Sequence, residues 1–527
     1  MTDGETGGAL GAARDDRRGG DPFEDALALA NHTRASATGP ARRPESGCAT
    51  PSAGGPPTAG SGAAPTARGS HDPDAATGPS GPSGPAEDDR PPSSGPRRRP
   101  PATPWQRARA LAAHAVPGPL APVATPLAAA LGRTLAVPLT ALTDLPSFDT
   151  SAMDGWAVSG PGPWRVDQAA GAAAGILAGQ APAEALQDGR AIAIATGARL
   201  PSGATAVLRS EHGEVRELPG GGRQLHAPRP VPPGQDIRPR GQECRRGDHL
   251  LPAGALVTPA VLGLAAAAGY DELTAYPPPR AEVFVLGDEL LDHGLPQAGR
   301  IRDALGPMLG PWLQALGVTA GAPRHLADDA DTLYTALAES TADVVITTGG
   351  TAAGPVDHVH PTLRRLGAEV LVDGVAVRPG HPMLLARLAP RRHLVGLPGN
   401  PLAAVSGLCT LAEPLLRALA ARRPPAPCRT PLTAPVHGHP HDTRLVPVAY
   451  RDDERYGLTA EPLHFHGPAM LRGIAAADAL AVVPPGGAQR GTELELLELP
   501  WSAGWSGGGP ADRDALGDPF GPAGGVA

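Results

Sequence analysis

The pattern of apolar positions is clearest in the second half of the chain. A short β-branched run at 344–348 (VVITT) opens into Gly349, Gly350 and Gly354, after which Val359, Leu363 and Leu366 fall in helical spacing. That order predicts a strand, a glycine turn and a helix. It repeats at 393–397 (HLVGL), which leads into Pro398, Gly399, Asn400 and Pro401, with Asn400 expected as the N-cap and Pro401 as the first helical residue. Ahead of these lie a strand beginning at 281, helices at 307–316 and 331–340, and acid-bearing turns at Asp288-Glu289 and Ala327-Asp328-Asp329. Strands alternating with helices in this way predict a parallel sheet with right-handed crossovers. Ligands bind such sheets at the carboxyl edge, where glycine lets the main chain come close and helix starts attract oxyanions.

Elsewhere the pattern has a shorter range. Residues 105–131 read as helical, interrupted by Pro117, Pro119, Pro122 and Pro126, and residues 145–158 (LPSFDTSAMDGWAV) form a polar loop holding Asp149 and Asp154 before a strand. From 164 to 232 short alternating strands and glycine turns predict a small β domain inserted into another, and 428–499 repeats that character. The expected organisation is a low-complexity arm at 1–103 and a linker and helical domain in two segments, 104–146 and 233–278. The inserted β domain is at 147–232, an α/β domain at 279–421, a C-terminal β domain at 428–500 and a tail at 501–527.

Composition sharpens this division. The 527 residues include 69 glycines and 65 prolines; the arm and the tail, runs of Gly, Pro, Ser, Ala, Arg and Asp, carry too little apolar surface to offset the entropy of ordering and are expected to be disordered. A net charge of −8 without a basic domain argues against nucleic acid as a partner. No apolar run approaches the roughly 18 residues that cross a bilayer, and the start MTDGETGG lacks a basic, then apolar, leader, so a cytoplasmic protein without a membrane partner is expected. Cys48, Cys244, Cys409 and Cys428 are scattered and read as reduced thiols; His464 and His466, two apart, lack a third ligand nearby and read as surface histidines. The chain contains no lysine: all 45 Lys-plus-Arg positions are arginine.

TTGGTAAGPVD (347–357), VAVRPGHP (375–382) and GLPGNP (396–401), in this order and together with SAMDG (151–155), resemble the molybdenum cofactor biosynthesis proteins of the MoeA type, the molybdopterin molybdenumtransferases. The resemblance spans about 104–499 and implies a multi-domain α/β plus β fold. Its parts would be a central three-layer α/β molybdopterin-binding domain with a parallel-rich sheet, an inserted small β domain and a C-terminal β domain. It implies an enzyme that inserts molybdate into adenylylated molybdopterin with Mg²⁺-dependent release of AMP, working as a homodimer, with the molybdopterin adenylyltransferase as a further partner. Carried over residue by residue, Asp154, Glu289, Asp328 and Asp357 would be catalytic, with Glu289 and Asp357 positioning the metal. Ser151, Thr196, Gly197, Thr348, Gly349, Gly350, Arg378, His381, Pro398, Gly399, Asn400 and Pro401 would bind substrate. A phosphoanhydride and a tetrahedral dianion do call for a hard cation held by carboxylates and for cationic or N–H donors. The chain departs from the pattern at Leu286, Ala304, Leu305, Pro355, Pro468 and Arg472, and carries Arg378 and His381 where lysines are usual. These departures leave open a second reading, a divergent paralogue that binds molybdopterin or a partner and turns over poorly.

Overall fold

The computed structural model describes residues 101–166, 175–180, 184–219, 221–351 and 358–502. Its centre is a mixed sheet in the order Thr319–Ala320, Arg280–Leu286, Val344–Thr348, Arg392–Leu397, Leu384–Ala389, Glu369–Asp373, with Arg324–Leu326 also paired to Arg280–Leu286. The first four strands run parallel; Leu384–Ala389 is antiparallel to both of its neighbours, Arg392–Leu397 and Glu369–Asp373. All five residues of Val344–Thr348 are buried, as expected for a strand covered on both faces. Leu305–Ala315 and the continuous helix Pro401–Leu419 pack on one face; Ala330–Glu339 and Val359–Arg365 pack on the other. This is the expected three-layer α/β domain. Local chemistry sets the helix starts: Asp329 accepts the Thr332 N–H at 2.7 Å, and Thr258 accepts that of Val261 at 3.3 Å ahead of Pro259–Ala267.

The inserted domain is a six-stranded sheet in the order Ala206–Arg209, Gly155–Val158, Arg190–Ile194, Trp164–Val166, Arg223–His226, Glu214–Glu217. The C-terminal domain is a seven-stranded sheet built on the long strand Thr443–Asp453. Two of its strands come from elsewhere in the chain: Val375–Arg378 runs parallel to Thr443–Asp453, and Thr103–Pro104 adds to its outer side. One continuous core therefore includes Val285 and Ile346 of the α/β sheet, Val375 and Val377, and Leu445 and Leu480 of the C-terminal sheet.

Two expectations need correction. The helical reading of 105–131 holds for Trp105–Ala113 and for the single turn Leu127–Ala130; the prolines between them break it, and Val123–Pro126 is instead a strand paired with Glu272–Ala275. Pro401–Leu419 meets the length and hydropathy of a membrane-crossing helix, although no such run was expected; 83% of its most apolar window lies inside the protein, where sheet and helices surround it. Five residues of that helix, Leu408–Ala412, have π-helical geometry, and helix Trp105–Ala113 docks there. The Trp105 indole N–H donates to Thr410 Oγ1 at 3.0 Å, and an Arg109 N–H donates to the Cys409 carbonyl at 2.5 Å.

Candidate functional site

Three neighbouring strands end together at the carboxyl edge of the α/β sheet. Leu286, Thr348 and Leu397 are in register across Arg280–Leu286, Val344–Thr348 and Arg392–Leu397 or lie one residue from it. Gly349 turns the chain at φ +85°, a conformation that suits glycine, and its N–H donates to the Leu397 carbonyl at 2.9 Å. A Cβ built on Gly349 would lie 3.2 Å from the Leu286 carbonyl oxygen, and one on Gly399 would lie 3.8 Å from the Gly349 Cα. The two glycine turns predicted from the sequence therefore touch each other and the end of the first strand. Thr348 is buried beside them. Gly354, Pro355 and Asp357 lie outside the described residues.

The acids of this edge follow the first strand. The Glu289 carboxylate folds back over Gly287, where a Cβ would fall 2.7 Å from Glu289 Oε2, and the Asp328 N–H donates to Asp288 Oδ1 at 3.3 Å. Glu289, Asp288 and Asp328 thus share one end of the sheet with Gly349, Gly350, Pro398 and Gly399. Because Gly287 has φ +139° and carries the acid against it, Gly287→Ala is expected to displace Glu289 and to cost about 1–3 kcal/mol of backbone strain, read from urea denaturation. An unchanged midpoint would show that the turn has room to spare.

A second group begins at Asn400. Asn400 occupies the N-cap position and Pro401 the first helical one, but the Asn400 side chain makes no capping bond. The free amides of that helix start, Leu402 and Ala403, instead donate to the Pro468 carbonyl at 2.9 and 3.3 Å. The expected anion site at this helix start is therefore filled from within by the C-terminal domain. Gly380 lies against the same first turn, with its Cβ direction 3.0 Å from the Ala403 carbonyl oxygen, so the Arg378–His381 turn docks there too. His381 is turned inward, its Nδ1 2.9 Å from the Val375 carbonyl, which leaves Arg378 as the more accessible cation. Arg378 Nε donates to Asp442 at 2.8 Å. It stands in register beside Arg444, which bonds the His437 carbonyl and, at 3.2 Å, His466 Nδ1. Burial and the Arg444 guanidinium hold the His466 pKa below its ordinary value, so a neutral imidazole accepts that bond. Sequence reasoning missed Arg444 and the role of Pro468. Nothing in the period of a strand marks one arginine among its neighbours, and a carbonyl carries no side-chain signal.

The remaining predicted residues form a third group in the inserted sheet. Asp154 Oδ1 accepts the Thr196 N–H at 2.7 Å, the Gly197 N–H donates to the Ser151 carbonyl at 2.8 Å, and Ser151 Oγ donates to the Met153 carbonyl at 2.5 Å. Among the described residues no hydrogen bond or ion pair joins Asp154 to Glu289 or Asp328. The structure thus brings the predicted residues into two neighbouring groups on the α/β and C-terminal domains and one group apart from them.

Comparison with known proteins follows the same division. The MoeA N-terminal region (domain I and II) matches residues 103–269, the probable molybdopterin binding domain matches 282–418, and the MoeA C-terminal region (domain IV) matches 429–499. The molybdopterin molybdenumtransferase of Synechococcus elongatus is 33% identical over 313 residues, 57% of this chain and 76% of the relative. Molybdopterin molybdenumtransferase 2 of Mycobacterium tuberculosis is 32% identical over 401 residues, 72% of this chain and 95% of the relative. The crystal structure of the molybdopterin biosynthesis MoeA protein from Pyrococcus horikoshii superposes with a TM-score of 0.61 at 25% identity, covering 76% of this chain and 99% of that one. With matches to all three regions and a relative aligned along nearly its whole length, the chain belongs to the MoeA family.

Proposed function

We propose that this chain is a molybdopterin molybdenumtransferase of molybdenum cofactor biosynthesis, working in the cytoplasm, which places molybdenum from molybdate on adenylylated molybdopterin and releases AMP. One observation carries the reading: two touching glycine turns and the acids Asp288, Glu289 and Asp328 share the carboxyl edge of a parallel sheet, the place and chemistry for a phosphorylated pterin nucleotide. Its relatives bear the name of that enzyme. Arg378 and Arg444, side by side, supply cationic N–H donors for molybdate or a substrate phosphate.

The acids are hard oxygen donors and suit Mg²⁺, with Glu289 and Asp357 as the residues that would hold it. Mg²⁺ takes one or two protein carboxylates and completes its shell from phosphate and water. When bound, the ion would neutralise charge on the phosphoanhydride.

Asp154, Ser151, Thr196 and Gly197 enter this reading through a homodimer in which the inserted sheet of one protomer covers the α/β edge of its partner. The test is mixing. Asp154→Ala and Glu289→Ala are each expected to be inactive in AMP release, and their equimolar mixture, once exchanged, is expected to recover about a quarter of wild-type activity, because half of the dimers hold one intact site of two. No recovery from dimers shown to have exchanged, by co-purification of differently tagged protomers, would place both acids in one chain's site or exclude one from it. Wild-type protein that releases no AMP above background would sink the assignment itself.

A further inference from the structure

Between the acid-bearing turn and the helix Leu305–Ala315 lies a pair that the reading above does not use. Asp303 is nearly buried, its side chain 4% exposed. Its Oδ1 accepts the N–H groups of Leu305 and Gly306, both at 2.9 Å, and its own N–H donates to the Leu291 carbonyl at 2.9 Å. The carboxylate is thereby fixed on the helix start and on the loop that follows Glu289. Its other oxygen, Oδ2, lies 2.9 Å from Nε2 of His325, whose side chain is 42% exposed. An ionised carboxylate only accepts, so Nε2 carries the proton in this bond, and the acceptor nitrogen of the neutral tautomer is then Nδ1. Ala304 and Leu305, next along the chain, bring no polar side chain to this corner.

The position of the pair gives it a use. His325 stands opposite Val285 in parallel pairing, and Leu326 opposite Leu286, so the imidazole is one residue short of the carboxyl edge. Asp328, bonded to Asp288, follows three residues later. Two strand spacings, about 10 Å, separate His325 from the Val344–Thr348 strand and its glycine turn, a distance that a pterin nucleotide spans.

We infer that His325 is the base that activates the attacking water, with Asp303 as its positioning residue; the inference rests on the hydrolytic reading above. The water oxygen attacks a phosphorus of the anhydride and its proton passes to Nδ1. The bond from that phosphorus to the bridging oxygen breaks, and the electron pair leaves on the departing phosphate. The imidazolium, stabilised by Asp303, then returns its proton to solvent.

AMP release by the full chain with adenylylated molybdopterin and molybdate tests this. His325→Ala is expected to lower kcat about 100-fold while KM stays within about threefold, and added imidazole is expected to restore at least about tenfold of the loss. Asp303→Asn keeps an oxygen for the helix amides but offers an NH₂ to His325, which turns the tautomer, so a fall in kcat of at least about tenfold is expected. Turnover by His325→Ala within about threefold of wild type, with Glu289→Ala inactive, overturns the inference and leaves the hydrolytic reading standing. A loss that comes with a raised KM and no imidazole rescue also overturns it. Wild-type protein without AMP release removes both together.

Discussion

Glu289→Gln is expected to lower AMP release at least about 100-fold with little change in the urea midpoint. Glutamine keeps the shape of the side chain and its packing over Gly287, so the turn after Arg280–Leu286 has no reason to move. What it removes is the negative charge at the sheet edge where the anhydride is proposed to sit. A hard cation brought by a phosphoanhydride is held by charge and by oxygen donors, and an amide oxygen supplies the second without the first. The effect should therefore appear in turnover and in the concentration of Mg²⁺ needed, which a titration of the ion in the AMP assay would show. Activity within threefold of wild type at every Mg²⁺ concentration would show that Glu289 lies in the edge without serving it.

Trp105→Ala is expected to cost about 3–5 kcal/mol, measured by urea denaturation at fixed pH. Trp105 is 3% exposed and belongs to the core shared by the α/β and C-terminal sheets. Its loss removes the largest side chain of helix Trp105–Ala113 and leaves a cavity. It also takes the donor from Thr410 Oγ1, in a fully buried stretch whose geometry is already π-helical. Trp105→Phe keeps an aromatic ring and most of the burial while removing the indole N–H and a few ring atoms, so a smaller loss of about 1–2 kcal/mol is expected from it. Equal losses from both substitutions would mean that the hydrogen bond, not the burial, dominates.

The parts of this protein legible in its sequence are those whose cause is local. A β-branched run covered on both faces, closed by glycine, announces Val344–Thr348 and its turn without reference to anything distant. Asp329 and Pro401 likewise mark their helix starts from their own neighbourhood. What could not be read was decided by partners far along the chain. Val375–Arg378 lies between strands of the α/β sheet in sequence but pairs with Thr443–Asp453, because a strand's period says which face is apolar and not which edge it will join. The same holds for the anion site expected at Asn400: the N-cap position was correct, yet the carbonyl that occupies the amides belongs to Pro468, 68 positions from Asn400 and invisible to any side-chain pattern. At Asp303 the sequence suggested a loss of polar neighbours, Ala304 and Leu305, whereas folding brings His325 to it from the next strand.

The strands lent by residues 103–104 and 375–378 have a consequence for anyone who cuts or recombines this chain. A fragment ending near residue 425 would strip the cover from Val375 and Val377, and a fragment starting there would lack two strands of its own sheet. The last 75 or so described residues therefore cannot be exchanged as a module between relatives without carrying the matching donor strands along, and the two sheets should melt in a single cooperative transition.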